Sequence, residues 1–143
     1  MEKKIAPRGL RNNNPLNIRK NQKTHWLGQC DVSNDRDFVK FKSMPYGYRA
    51  AFKVLQNYYS LHKCLTLSQY IARWAPSNEN DTKAYICSVS NKTGYTPHKV
   101  LPSPRSSRST WVNIVAAMSK VENGRQANIK DVEEGYRLAF EII

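Results

Sequence analysis

The chain has 143 residues, of which 23 are Lys or Arg and 11 are Asp or Glu, so its formal net charge is +12. Hydrophobic residues make up 40% and aromatic residues 10%, which excludes a disordered basic tail, and no apolar run reaches the ~18 residues of a membrane span. We therefore expect one domain over residues 1–143 that binds a polyanion, whether nucleic acid, anionic lipid or bacterial cell wall.

The N-terminal part is predicted to hold an ordered loop followed by a small sheet. A run of three asparagines, 12–14, precedes Pro15. Asparagine favours turns and proline stops a helix, so residues 9–17 are predicted to form the loop. Apolar and polar side chains alternate between polar turns over residues 16–42, which predicts short antiparallel strands.

Helical periodicity begins after Pro45 and predicts a first long helix over 46–61. Thr66 and Gln69 then form a capping-box pattern, which places the start of a second helix there. Pro76 ends that helix.

Three more helices are predicted in the rest of the chain. Asp81 or Thr82 caps one, a second ends at Gly124, and the last begins near residue 130. A basic surface loop over 96–108 separates the first of these helices from the other two. With about five helices after a small antiparallel sheet, the predicted fold class is α+β.

The sequence favours neither a metal site nor a cofactor. The three histidines, His25, His62 and His98, are isolated and lack metal-binding spacing. The three cysteines, Cys30, Cys64 and Cys87, lack C-x-x-C spacing and are expected to be separate reduced thiols. The six glycines form no phosphate-binding loop.

Acidic residues are scarce, so each can be weighed as a catalyst. Five fit helix ends and exposed faces: Glu122, Asp131, Glu133, Glu134 and Glu141. Glu79 differs, because it lies in a turn between two amphipathic helices, close in sequence to Trp74 and Asp81. Such surroundings raise the pKa of a carboxyl group, as a general acid for a glycosidic oxygen requires. The alternative is that Glu79 caps the turn or pairs with an arginine.

Amide and aromatic side chains form the second functional signal. Amides hydrogen-bond sugar hydroxyl and N-acetyl groups, and aromatic rings stack on sugar faces. The candidate substrate-binding residues are Asn12, Asn14, Asn17, Tyr48, Trp74, Asn80 and Tyr85. The alternative is that the asparagines build turns and the aromatic residues belong to the core.

Several segments within residues 8–95 form a recognisable set of motifs. The first is Arg8-Gly9-Leu10-Arg11-Asn12-Asn13-Asn14-Pro15-Leu16-Asn17-Ile18-Arg19. The others are Trp26-Leu27-Gly28, Phe38-Val39-Lys40-Phe41, Tyr46-Gly47-Tyr48-Arg49-Ala50, Tyr70-Ile71-Ala72-Arg73-Trp74-Ala75-Pro76 and Glu79-Asn80-Asp81-Thr82 with Tyr85. Together they resemble a family of phage and prophage proteins labelled virion structural or phage-related lysozyme-like proteins. More distantly, residues 13–19 are similar to a motif of flagellar-type glucosaminidases.

The resemblance implies a lysozyme-like fold, in which a small sheet lobe faces a helical lobe across a glycan groove. It also implies a peptidoglycan-directed protein that cleaves β-1,4 bonds between amino sugars, as a glycosidase or a lytic transglycosylase. Such enzymes normally carry the acid Glu at the end of a helix before the sheet lobe, whereas the only acid preceding the asparagine motif is Glu2. Glu79 is therefore the candidate catalytic acid.

Two other functions remain open at this point. The domain could be a non-catalytic virion or cell-wall-binding protein of the same fold, with glycan strands or other virion proteins as partners. Nucleic-acid binding driven by the +12 charge is less favoured, because no recognisable nucleic-acid-binding motif is present. The N-terminus lacks the apolar stretch of a secretory signal, so we expect synthesis in the cytoplasm and action at the cell wall or in the virion, without membrane insertion.

Overall fold

The computed structural model describes residues 6–78 and 80–142, and in these ranges the chain is mostly helical. The six α-helices of the described residues are α1 (Arg8–Arg11), α2 (Met44–His62), α3 (Leu67–Trp74), α4 (Thr82–Thr93), α5 (Arg108–Asn123) and α6 (Ile129–Tyr136). A 3₁₀ turn, Pro104–Ser106, precedes α5, and a π-helical turn, Arg137–Glu141, continues α6.

The predicted small antiparallel sheet is wrong, and with it the α+β class and the division into a sheet lobe and a helical lobe. No strand forms in the described ranges, where pairing is limited to isolated antiparallel bridges. These bridges join Arg19 to Phe38, Gln29 to Phe41 and Thr66 to Val100. Residues 12–43 are therefore a long irregular segment that is packed against the helices.

Side-chain amides explain why no ladder forms in this segment. Asn14 Nδ2 donates to the carbonyl oxygens of Ile18 (2.9 Å) and Val39 (2.8 Å), and Asn14 Oδ1 accepts from the Ile18 N–H (2.8 Å). Asn13 Nδ2 donates to the Phe41 carbonyl in the same way, at 3.1 Å. In a sheet such backbone groups pair between strands. Here asparagine side chains pair with the Ile18 N–H and with the carbonyls of Val39 and Phe41, while the Val39 N–H still donates to the Ile18 carbonyl. The apolar alternation that predicted strands comes from Val39 and Phe41, which are buried in a small cluster.

The hydrophobic core is built around α5. Trp111, Ile114 and Met118 are fully buried on this helix and belong to the same cluster as Phe52 and Leu55 of α2. Non-directional burial of this kind is the main stabilising contribution in a helical domain.

Residues 96–108, predicted as a surface loop, are mostly exposed, and a few contacts anchor them to the core. The Trp111 indole Nε1 donates to the Pro102 carbonyl at 2.8 Å, and the side chains of Leu101 and Pro104 are buried.

Several predicted helix ends are confirmed. Thr66 and Gln69 form the reciprocal capping box at the start of α3. Asp81 accepts from the Ala84 N–H at the start of α4, and Gly124 ends α5 in a left-handed conformation with φ 68°. These ends depend on local hydrogen bonding, which the sequence alone can reveal.

The loop that contains the three asparagines, residues 12–17, is tightly packed between α1, α2 and α5, and we name it the asparagine loop. A Cβ at Gly47 of α2 would lie 2.2 Å from the Asn13 carbonyl oxygen, and one at Gly9 of α1 would lie 2.6 Å from Asn123 Oδ1. Asn123 of α5 donates through Nδ2 to the Pro15 carbonyl at 2.8 Å. The loop is thus held against three helices, and this fixes the position of its last residue, Asn17.

No helix of the described ranges is long and apolar enough to cross a membrane.

Candidate functional site

A groove of about 260 Å³ lies where the asparagine loop meets the C-terminal end of α5. It adjoins a second depression of about 190 Å³, which shares Asn17, Arg19 and Trp74 with it and continues to Tyr58. We name the first depression the Glu122 groove; its lining residues are Arg8, Leu16, Asn17, Arg19, Phe38, Trp74, Asn80 and Glu122.

Glu122 is a half-buried carboxyl group in the last turn of α5. Asn17 Nδ2 donates to its Oε1 at 2.9 Å, and the Tyr85 hydroxyl donates to its Oε2 at 3.0 Å. Each oxygen therefore has one protein donor and retains further acceptor capacity, and the residue lines the groove. The carboxyl group is held in one orientation by partners from two other parts of the chain.

Burial shifts the acidity of this group. Desolvation raises the pKa of Glu122, and the hydrogen bonds from Asn17 and Tyr85 offset part of that rise. Burial raises the pKa of Tyr85 well above 10, with the nearby Glu122 charge adding to the shift. Tyr85 therefore stays protonated at neutral pH and remains a hydrogen-bond donor, while Glu122 holds its proton to a higher pH than an exposed glutamate.

Local sequence explains how the three groups meet. Glu122 follows Val115 and Met118 by seven and four positions, so it lies on the buried stripe of α5. Asn17 has φ 55°, a left-handed conformation that asparagine tolerates, and its N–H donates to the Asn14 carbonyl at 3.0 Å. Tyr85 lies on the buried face of α4.

Four of the predicted substrate-binding residues come together at this groove. Asn17, Trp74 and Asn80 line it, and Tyr85 reaches Glu122 from the protein interior, being only 6% exposed. The Trp74 ring packs edge to face with Tyr58 at a centroid distance of 6.1 Å and is only partly buried. The groove thus combines amide groups, an indole and a carboxyl group.

The other three predicted binding residues lie elsewhere and are engaged internally. Asn14 is completely buried, and its side chain makes the hydrogen bonds to the backbone that are described above. Tyr48 is 1% exposed and shares a 2.9 Å hydrogen bond with the Ser119 hydroxyl, and Asn12 donates to Asp35 at 2.8 Å. For these three, the structure shows the turn-building and core roles that were the alternative interpretation.

The predicted catalytic residue, Glu79, lies outside the described residues. Sequence reasoning assigned Glu122 to an exposed helix end, and the structure instead shows it half-buried in the groove wall. A signal for this was present, because a charged residue on the apolar stripe of an amphipathic helix needs a polar partner in the fold.

No group of three or more His, Cys, Asp or Glu side chains that could hold a metal ion occurs within residues 6–78 and 80–142. What the groove offers is acid–base chemistry and hydrogen bonding.

No protein-family model matches the chain. A phage protein does: Protein P5 of Pseudoalteromonas phage PM2 is 36% identical to it over 138 residues. The alignment covers 94% of this chain and 83% of Protein P5.

Proposed function

This chain belongs to the family of Protein P5 of Pseudoalteromonas phage PM2, and we propose that it is a phage-related protein that cleaves β-1,4 glycosidic bonds of peptidoglycan with Glu122 as the general acid. The observation that supports this proposal is a half-buried carboxyl group with a raised pKa in the wall of a groove lined by amide groups and an indole. This combination suits an amino-sugar polymer, whose rings stack on indoles and whose N-acetyl groups pair with amides.

In the proposed reaction, protonated Glu122 donates its proton to the glycosidic oxygen as the bond to the anomeric carbon breaks. The resulting oxocarbenium-like centre is then attacked by water or by the 6-hydroxyl group of the same sugar. The Glu122 carboxylate takes the proton of that nucleophile, which restores the acid. The first route is hydrolysis and the second is lytic transglycosylation.

Asn17 and Tyr85 act as positioning residues in this scheme. Their hydrogen bonds to Oε1 and Oε2 hold the carboxyl plane, and they stabilise the carboxylate that remains after proton transfer. Burial raises the pKa of Glu122 and so favours the protonated form from which the proton is donated.

The test is clearance of purified cell walls, with analysis of the released sugars for reducing ends and anhydro products. Glu122→Gln keeps the size of the side chain and one acceptor oxygen but removes the acid. We expect at least a ~10²-fold loss of rate, the lower end of general acid catalysis. Glu133→Gln, at an exposed position of α6, is the matched control and should retain the wild-type rate.

Glu79→Gln decides between the two candidate acids. Full activity of Glu79→Gln together with loss in Glu122→Gln supports the assignment. The reverse result would return the catalytic role to Glu79.

The second candidate function is a non-catalytic wall-binding or virion protein. It is favoured by the phage relative and by the amide and indole lining, which can bind a glycan without an acid. Its signature is that the wild-type chain sediments with cell walls but releases no sugar.

A further inference from the structure

Two arginines and a phenylalanine form a distinct part of the Glu122 groove. The guanidinium carbon of Arg8 lies 4.3 Å from the centroid of the Phe38 ring, and that of Arg19 lies 4.9 Å from it. All three side chains line the groove that contains Glu122. These distances are typical of cation–π stacking, in which the ring orients the guanidinium group.

The backbone fixes this arrangement. Arg19 and Phe38 are the paired residues of an isolated antiparallel bridge, and directly opposed residues project their side chains to the same side. The Val39 N–H donates to the Ile18 carbonyl at 3.0 Å beside that bridge. Arg8, the first residue of α1, is held by two hydrogen bonds to the Asp35 carboxylate, at 2.6 and 2.7 Å.

The two arginines differ in charge compensation. Arg8 pairs with Asp35, and its Nη2, which bonds to Asp35, also lies 3.7 Å from Asp37 Oδ2. Arg19 makes no ion pair or side-chain hydrogen bond with any residue that the structure describes. Arg19 therefore presents an uncompensated, pre-oriented guanidinium group to the groove.

We propose that Arg19, stacked on Phe38 beside Arg8, is a carboxylate-binding subsite that makes the groove selective for glycan strands carrying acidic peptide stems over neutral amino-sugar polymers. This inference rests on the proposed function, because it takes a glycan as the occupant of the groove. A guanidinium group binds a carboxylate through two parallel N–H···O bonds, which neutral sugars do not offer. Holding the guanidinium on a ring lowers the entropy lost on binding.

The experiment measures binding separately from cleavage, by sedimentation of the full chain carrying Glu122→Gln. The two probes are purified peptidoglycan with its peptide stems and chitin, a β-1,4-linked amino-sugar polymer without carboxylates. Arg19→Gln is compared with Arg105→Gln, which removes the same charge from an arginine stacked on Phe140 away from this groove. Arg19→Lys keeps the charge but loses the planar donor pair.

We expect Arg19→Gln to bind stem-bearing peptidoglycan about tenfold more weakly, the loss of one charge-assisted hydrogen-bonded pair. Binding to chitin should stay unchanged, and Arg105→Gln should match the parent on both probes. Arg19→Lys should recover only part of the difference.

Other outcomes overturn the inference in distinguishable ways. Equal weakening on both probes, or equal weakening by Arg105→Gln, would mean that Arg19 acts only through general charge. If Arg19→Gln changed nothing while the chain with an intact Glu122 cleaved cell walls, the subsite would be refuted and the proposed function would stand. If the chain bound neither probe, both proposals would fail.

Discussion

Asn14 is predicted to be the polar side chain whose loss most damages the fold. It is completely buried, and its amide makes three hydrogen bonds of 2.8–2.9 Å to the backbone of Ile18 and Val39. Asn14→Ala removes both the Nδ2 donor and the Oδ1 acceptor of this side chain. The Val39 carbonyl and the Ile18 N–H would then lie in the interior without their present partner, while the Ile18 carbonyl would keep only its bond from the Val39 N–H.

The magnitude follows from the number of groups left unpaired. Each buried backbone group that loses its partner costs about 1–3 kcal/mol, and the surroundings relax enough to reduce the sum. We expect the free energy of unfolding to fall by about 3–5 kcal/mol, a large share of the ~5–15 kcal/mol that a domain of this size has. Asn91→Ala, at an exposed position of α4, is the matched control and should change the free energy by less than about 0.5 kcal/mol.

Urea unfolding followed by tryptophan fluorescence measures both variants. A second variant, Asn14→Asp, adds a pH test, because it keeps the acceptor for the Ile18 N–H but turns a carboxylate toward two carbonyl oxygens. The folded state would raise the pKa of this new carboxyl group. Its stability should therefore be highest below the unfolded pKa of about 3.9 and fall as pH rises through the folded pKa. If Asn14→Ala cost less than about 1 kcal/mol, the amide would not be what holds the segment, and our reason for the absence of a sheet would be wrong.

Two predictions concern pH. Burial raises the pKa of Glu122, and the acid must be protonated to act, so the rate of wall cleavage should fall as pH rises through that pKa. The residual rate of Glu122→Gln should not show this fall. The hydrogen bond from Arg8 holds the pKa of Asp35 well below its usual range, so the ionised carboxylate stabilises the fold above the unfolded pKa of about 3.9, and this stability is lost as pH falls. Asp35→Asn should have a weaker acid dependence of unfolding below pH ~4 than the wild type, whereas Asp31→Asn, at an exposed side chain, should keep it.

Helix positions could be predicted because their signals are local. The capping box at Thr66 and the left-handed glycine at Gly124 each involve residues within one turn of the helix end. Apolar periodicity also located α2 and α5, whose stripes form the core. In these segments every local preference agrees with the fold, and the sequence pattern was sufficient.

The sheet could not be excluded from the sequence, because the competing interaction is long-range. Alternation of apolar residues around Val39 and Phe41 is what a half-buried strand requires. It is also what a chain requires when every second side chain packs on a helix. Asn14 and Val39 are 25 residues apart, and nothing in their spacing indicates that an amide would take the carbonyl of a predicted strand.

Part of the candidate site could be predicted and part could not. Asn17, Trp74 and Asn80 were proposed for their chemistry, and the fold brings them to one groove. Glu122 was set aside because a glutamate near a helix end is usually solvated. Its burial depends on Asn17, which is 105 residues away, and on Tyr85 of another helix.

The groove and the stability of the loop are physically coupled. Asn123, next to Glu122 on α5, donates to the Pro15 carbonyl, and Pro15 immediately follows Asn14. The same short loop therefore supplies Asn17 to the carboxyl group and is itself anchored to the helix that carries that carboxyl group. In a segment with no sheet to stiffen it, these amide contacts set both the position of the hydrogen-bond donor and the desolvation of the acid. A substitution that loosens the loop should thus expose Glu122 to water and move its pKa back toward the ordinary value, so loss of stability and loss of a raised pKa are expected together.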